Sequence, residues 1–176
     1  FPGARLLRWD RDSAHGSGAH ERLMEQFASG AADILVGTQM VAKGLDLPRV
    51  TLVGGICADI GLHMPDFRAG ERAFQLLCQV VGRAGRGERQ GRAVIQTYSP
   101  LHYAIQAAVG QDYGLFYRQE MEFRRSHANP PFSRLAHLVY LHTNAAYCQR
   151  EAQRLARALV KERDARGMRR TEIVGP

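Results

Sequence analysis

The stretch DILVGTQMVAKGLDLPRVTLVGGI, residues 33–56, decides the fold. It holds two short apolar runs, DILVG at 33–37 and VTLVGGI at 50–56. Each is the near-continuous apolar pattern of a strand buried on both faces. Between them lies a polar loop with Thr38, Gln39, Lys43, Gly44 and Asp46. RLLRW at 5–9 reads as a further short strand. HERLMEQFASG, 20–30, reads as a helix with Leu23, Met24 and Phe27 at helical spacing and Gly30 at its C-terminal end. A helix over 70–81 and a strand in RAVIQTY, 92–98, continue the alternation. Strands alternating with helices across short loops predict a parallel sheet covered on both faces, so residues 1–100 are expected to be α/β.

Beyond Pro100 the pattern changes. Residues 101–129 read as a helical connector, with Ile105, Val109, Tyr113 and Phe116 as its apolar stripe. Pro130 and Pro131 cannot continue a helix and break it. RLAHLVYL then reads as a strand, 145–166 as an amphipathic helix, and TEIV from Thr171 as a closing strand. The apolar face of that helix is Ala152, Leu155, Ala156, Leu159 and Val160. Residues 130–176 are thus expected to open a partial α+β (β-α-β) domain. The beginning at Phe1-Pro2-Gly3 and the end at Gly175-Pro176 read as cuts within a longer protein.

At 45% hydrophobic and 23% charged, the composition is that of a globular chain rather than a disordered one. The formal net charge is +7, and only Lys43 and Lys161 among the cations are lysines. Arginine grips phosphate with a planar two-pronged fork, which suggests a nucleotide or nucleic-acid partner. A general preference for arginine in the source explains the same composition. Cys57, Cys78 and Cys148 form no CxxC pair, which disfavours a disulfide framework and a zinc site and fits a reducing, cytoplasmic setting. No run reaches the roughly 18 apolar residues of a membrane span.

The arginines concentrate in QVVGRAGRGERQGR, 79–92. At 100° per residue, Arg72, Gln75, Gln79, Arg83 and Arg86 share one helix stripe, and Ala73, Leu77, Val80, Val81 and Ala84 lie opposite. Docking of the apolar side aims the polar one outward. Glycines beside the arginines leave room for a large anion. An ordinary basic helix end, favoured by the helix dipole, is the plainer reading. In the loop after the strand at 33–37, where α/β sheets place ligands, Thr38 offers a hydroxyl, Lys43-Gly44 charge beside permissive backbone, and Asp46 an acceptor for a ribose. Singly these are also what a strand-end cap and a turn residue look like.

Together the two segments resemble motifs V and VI of superfamily 2 helicases: ILVGTQMVAKGLDLPRVTLV and QVVGRAGR, the latter with the Q/H-x-x-G-R-x-x-R pattern. CADIGLHMPDFRAGERAFQLL, VIQTYSPLHYAI and NPPFSRLAHLVYL are similar to the bacterial replication-restart helicases. The resemblance implies a RecA-like second helicase lobe of the P-loop NTPase kind, working with a first lobe that carries the phosphate loop. By analogy Arg86 is the arginine finger, Arg83 lies beside it, and Gln79 bonds near the phosphates or the attacking water. Asp46 and Gly44 contact the ribose side, Thr38 and Gln39 touch the DNA backbone or couple it to ATP, and Lys43 is a further DNA contact. Asp59 and Asp66 are expected to order loops at the interlobe face, Asp66 also being placed to cap the next helix.

The implied activity is ATP-dependent 3′-to-5′ DNA unwinding in replication restart, with ATP and Mg held mainly by the first lobe. The implied partners are single-stranded and forked DNA, primosome proteins and single-stranded-DNA-binding protein, with no membrane. No G-x-x-x-x-G-K-[ST] and no Asp-Glu dipeptide occurs in the chain, so catalysis by this piece alone is not expected. The family's zinc-binding cysteines are likewise missing here. The seven histidines lack ligand spacing and read as structural or surface groups. A non-catalytic, arginine-rich nucleic-acid-binding module is the alternative function, and a branch-migrating RecG-like motor is a weaker one.

Overall fold

The computed structural model describes residues 1–10, 18–38, 49–84 and 90–175. The chain forms two compact units, Phe1–Ser133 and Arg134–Pro176.

In the first unit, β1 (Leu6–Trp9) pairs in parallel with β2 (Ile34–Gly37), and β3 (Leu52–Gly55) with β4 (Arg92–Ile95). The parallel arrangement agrees with the expected α/β class. The register runs Leu6 to Ile34 and Leu52 to Arg92. Arg5 fixes the start of the first pair, because its backbone N and side-chain Nε and Nη2 all donate to Asp33 at 2.8–3.0 Å. Those bonds hold the Asp33 carboxyl down at about 2. Cover is one-sided among the described residues: Leu6, Val36, Leu52 and Val94 remain exposed.

Helix α1 (Ala19–Ala28) presents Leu23 and Phe27 to the buried Trp9, whose indole Nε1–H donates to His20 Nδ1 at 3.0 Å. Gly30, just past the end of α1, takes φ 82, a left-handed value that glycine adopts without a Cβ penalty. A 3-10 turn at Ala58–Gly61 follows β3, and then α2 (Ala69–Val81) packs on β3 and β4.

Residues 101–129, expected as a connector, are part of this first unit. They make two helices, α3 (Tyr103–Val109) and α4 (Tyr113–Ser126), rather than one. Gly110 ends α3, Gln111 sits at φ 50, and Asp112 caps α4 by accepting from Leu115 N at 2.8 Å. The break splits the expected stripe: Ile105 and Phe116 are buried, whereas Val109 and Tyr113 are 59% and 65% exposed. His102 caps α3 by accepting from Ala104 N, and burial lowers its pKa in favour of that neutral, accepting form. The core joins Phe74 and Leu77 of α2 to Ala104, Ile105, Ala107 and Ala108 of α3 and to Phe116 of α4.

In the second unit the expected helix forms as α5 (Ala145–Ala165), capped by Asn144 through Tyr147 N. The strands expected in 134–141 and from Thr171 do not form. A strand is stable only when a neighbour takes up its backbone N–H and C=O groups, and neither segment finds one here. Of the expected apolar face, Ala152, Ala156, Leu159 and Val160 are half-buried and Leu155 is exposed. No residue of α5 is fully buried.

Candidate functional site

Helix α2 is the element on which the sequence placed its polar stripe. Its inner side is Ala73, Phe74 and Leu77, at 4%, 7% and 4% exposure. The same helix turns Arg72, Gln75 and Gln79 outward, all exposed. The 100° step therefore assigns the faces correctly as far as Val81, where α2 ends; Arg83, expected on the same stripe, lies beyond the helix. Against β3 and β4, a Cβ added at Gly55 would lie 3.8 Å from Val80 and 4.0 Å from Leu77.

The outward residues are partly engaged with their own helix and its lead-in. Arg72 pairs with Asp66 at 2.9 Å, and Gln75 donates to Glu71 at 3.2 Å. Asp66 also accepts from Arg68 N at 2.9 Å, so it organises the N-terminal entry of α2. That backbone bond is the leading reason its pKa is lowered.

At the other end α2 stops at Gly82, whose N–H still donates to Cys78 O at 2.9 Å. Arg83 and Ala84 then bond back to Val80 and Val81 at 3.1 and 3.2 Å, a tightening of the last turn. A Cβ on Gly82 would come within 3.1 Å of the Cys78 carbonyl oxygen. The glycine thus has a local packing reason at the end of the helix. Arg83 is half-buried in this closing turn.

Thr38 follows β2 directly and is exposed, at the C-terminal end of a parallel strand where such sheets place ligands. Gln39, Lys43, Gly44, Asp46 and Arg86 lie outside the described residues. The described part of the expected site is therefore Thr38, Gln79 and Arg83.

Asp59 is the better-defined of the two loop-ordering aspartates. It is 6% exposed and accepts from Thr97 Oγ1 at 2.8 Å, Tyr98 N at 2.9 Å and Ser99 N at 3.1 Å. It thereby ties the segment after β3 to the segment after β4, the same sheet edge. The Tyr98 N–H is the first of the donors that hold its carboxyl at about 2, so it is ionised throughout the neutral range. Cys57, two residues before, takes φ 52 where the chain turns toward this position.

One cluster was missed from the sequence. Glu120 of α4, 4% exposed, accepts from Tyr103 Oη at 2.7 Å and from Arg124 Nε at 2.8 Å. Arg124 Nη2 also donates to Glu71 Oε2 of α2 at 2.7 Å. The available signal was positional: Phe116, Glu120 and Arg124 fall four residues apart, so Glu120 continues the buried stripe of α4.

Among the described residues, no three His, Cys, Asp or Glu side chains come together to hold a metal. His20, His102 and His142 each accept a hydrogen bond at a local structural position. No helix of the described structure is long and apolar enough to cross a membrane.

Residues 11–88 match the helicase conserved C-terminal domain. The chain is 49% identical over its whole length to replication restart protein PriA of Bacillus subtilis, and 44% identical over its whole length to that of Synechocystis. Over 94% of the chain it is 44% identical to PriA of Chlamydia muridarum. It spans 21%, 21% and 22% of those proteins, about a fifth. The chain belongs to the PriA family and corresponds to its helicase C-terminal region.

Proposed function

We propose that the chain is the second motor lobe of a superfamily 2, ATP-dependent DNA helicase that unwinds in the 3′-to-5′ direction during replication restart. The observation that supports this reading most is the two-sided α2. Its apolar side is locked to the core, and its outward edge carries Gln79 toward the turn with Arg83, inside the helicase match.

Gln79 and Arg83 near one helix end are a donor and a cation of the kind that suits the terminal phosphates of ATP. ATP, bound with Mg mainly by the first lobe, supplies the phosphoryl group whose transfer drives movement. In this chain Arg86, with Arg83 beside it, stabilises the charge that develops on that group, and Gln79 orients the phosphates or the attacking water. Asp46 and Gly44 meet the ribose side. Thr38, Gln39 and Lys43 take the DNA backbone. Single-stranded and forked DNA are the substrates, primosome proteins and single-stranded-DNA-binding protein are the partners, and the cytoplasm is the setting.

Residues 1–100 form the lobe proper and 130–176 the start of a C-terminal domain. Helices α3 and α4, packed on α2, link the two. The alternative of a purely phosphate-gripping stripe is disfavoured by the ties of Arg72 to Asp66 and of Gln75 to Glu71, which leave that end of the stripe internally engaged.

The test is strand displacement by the purified full-length protein. Duplexes with a single-stranded 3′ tail should be unwound with ATP and those with only a 5′ tail should not, while residues 1–176 alone should show no DNA-stimulated ATP hydrolysis. Turnover by this stretch on its own, or the opposite tail preference, contradicts the proposal.

A further inference from the structure

Apolar packing holds α2 against its neighbours, and a charged clasp at its first turn adds directional bonds to that packing. In that core α3 contributes Ile105 and the small Ala104, Ala107 and Ala108, and Phe116 of α4 stacks on Phe74 of α2. Such packing holds the helices together, but hydrophobic attraction itself has no direction. What does have direction is the charged clasp at the first turn of α2.

Arg124 is its hub. The side chain is 13% exposed and reaches three acceptors: Glu120 Oε1 at 2.8 Å, Glu71 Oε2 at 2.7 Å and the Pro130 carbonyl at 3.3 Å. Its guanidinium also stands 5.1 Å over the Phe67 ring. Burial works against this charge, yet the two carboxylates outweigh it and raise the pKa. Burial and then Glu120 push the Tyr103 phenol well up, so it stays a donor to Glu120.

Two further observations tie the clasp to the outward edge of α2. Glu71, held by Arg124, itself receives Gln75, one helical turn before Gln79. Gly70 leaves the space the clasp needs: a Cβ there would lie 2.7 Å from Tyr103 Oη and 2.9 Å from Glu120 Oε2.

We propose that Arg124, with Glu120 and Tyr103, is a positioning group that sets the attitude of α2 and thereby aims Gln79 and Arg83 at the nucleotide. This rests on the motor reading above. Twelve residues separate Glu71 from Arg83. At about 1.5 Å per residue the clasp lies roughly 18 Å from the turn it governs, and a tilt of about 5° moves that turn by about 1.5 Å. Displacements of about 1 Å cost on the order of 100-fold in rate when they misplace a reacting constellation.

The experiment uses the full-length protein with Arg124→Lys, which keeps the charge but cannot bridge both carboxylates. DNA-stimulated ATP hydrolysis should lose roughly 10- to 100-fold in kcat, with KM for ATP and affinity for single-stranded DNA within about twofold. Tyr103→Phe, which removes one hydroxyl, should shift kcat in the same direction by less. Rates are expressed per folded molecule from parallel thermal unfolding, so a fall that tracks unfolding alone overturns the proposal. So does an unchanged kcat in both variants. Arg86→Ala in the same assay separates the two levels: if it retains activity, the motor reading itself falls, whatever Arg124→Lys does.

Discussion

Replacing Arg86 with alanine in the full-length protein is expected to lower ATP hydrolysis by about 10³–10⁵-fold, the range for removal of an arginine finger. Affinity for single-stranded DNA should stay within about threefold, because in the proposed role this charge acts on the transferred phosphoryl group rather than on the DNA backbone. Arg86 lies outside the described residues, so its role rests on the motif resemblance; of the stripe expected with it, Arg72, Gln75 and Gln79 face outward on α2 and Arg83 is half-buried in the turn beyond its end. Steady-state hydrolysis and DNA binding, measured on the same preparation, read the two quantities. A loss of affinity in proportion to the loss of rate contradicts the motor and supports a phosphate-gripping module.

Phe74→Ala should cost the first unit about 3–5 kcal/mol of unfolding free energy, the usual toll for emptying a buried phenylalanine site. Phe74 is 7% exposed and stacks on Phe116 at 4.1 Å between ring centroids, with planes 7° apart. The surrounding alanines of α3 cannot extend to fill the void. Domains are stable by only about 5–15 kcal/mol, so the variant should approach the edge of folding. Denaturant unfolding followed by circular dichroism gives the difference. A change below about 1 kcal/mol would mean that α2 is not held by this core.

The same residues show why much of the first unit was legible. Its strands are local apolar runs and its helices carry a 3.6-residue period, so each element declares itself within its own sequence. The inner and outer sides of α2 follow from that period alone. Asp59 and Asp66 were expected to order loops, and both do so through backbone N–H groups.

Long-range pairing was less visible. Residues 134–141 have the composition of a strand, but a ladder needs a second chain segment, and composition does not say where one is. The break between α3 and α4 hinges on Gln111 at φ 50, a value glutamine does not advertise. The Arg124 clasp was not visible, because the sequence does not show that Glu71 and Tyr103 close over it. Gln39, Lys43, Gly44 and Asp46 lie outside the described residues, so the roles proposed for them stand on the motif resemblance.

The most direct test is the structure of the full-length protein with single-stranded DNA, ADP and aluminium fluoride, which imitates the transferring phosphoryl group. The outward edge of α2 should face the nucleotide, with the Arg86 guanidinium about 3 Å from the fluoride group and Gln79 and Arg83 lining the same cleft. A nucleotide fully enclosed by the other lobe, with Arg83 and Arg86 turned to solvent or to DNA, would contradict the account.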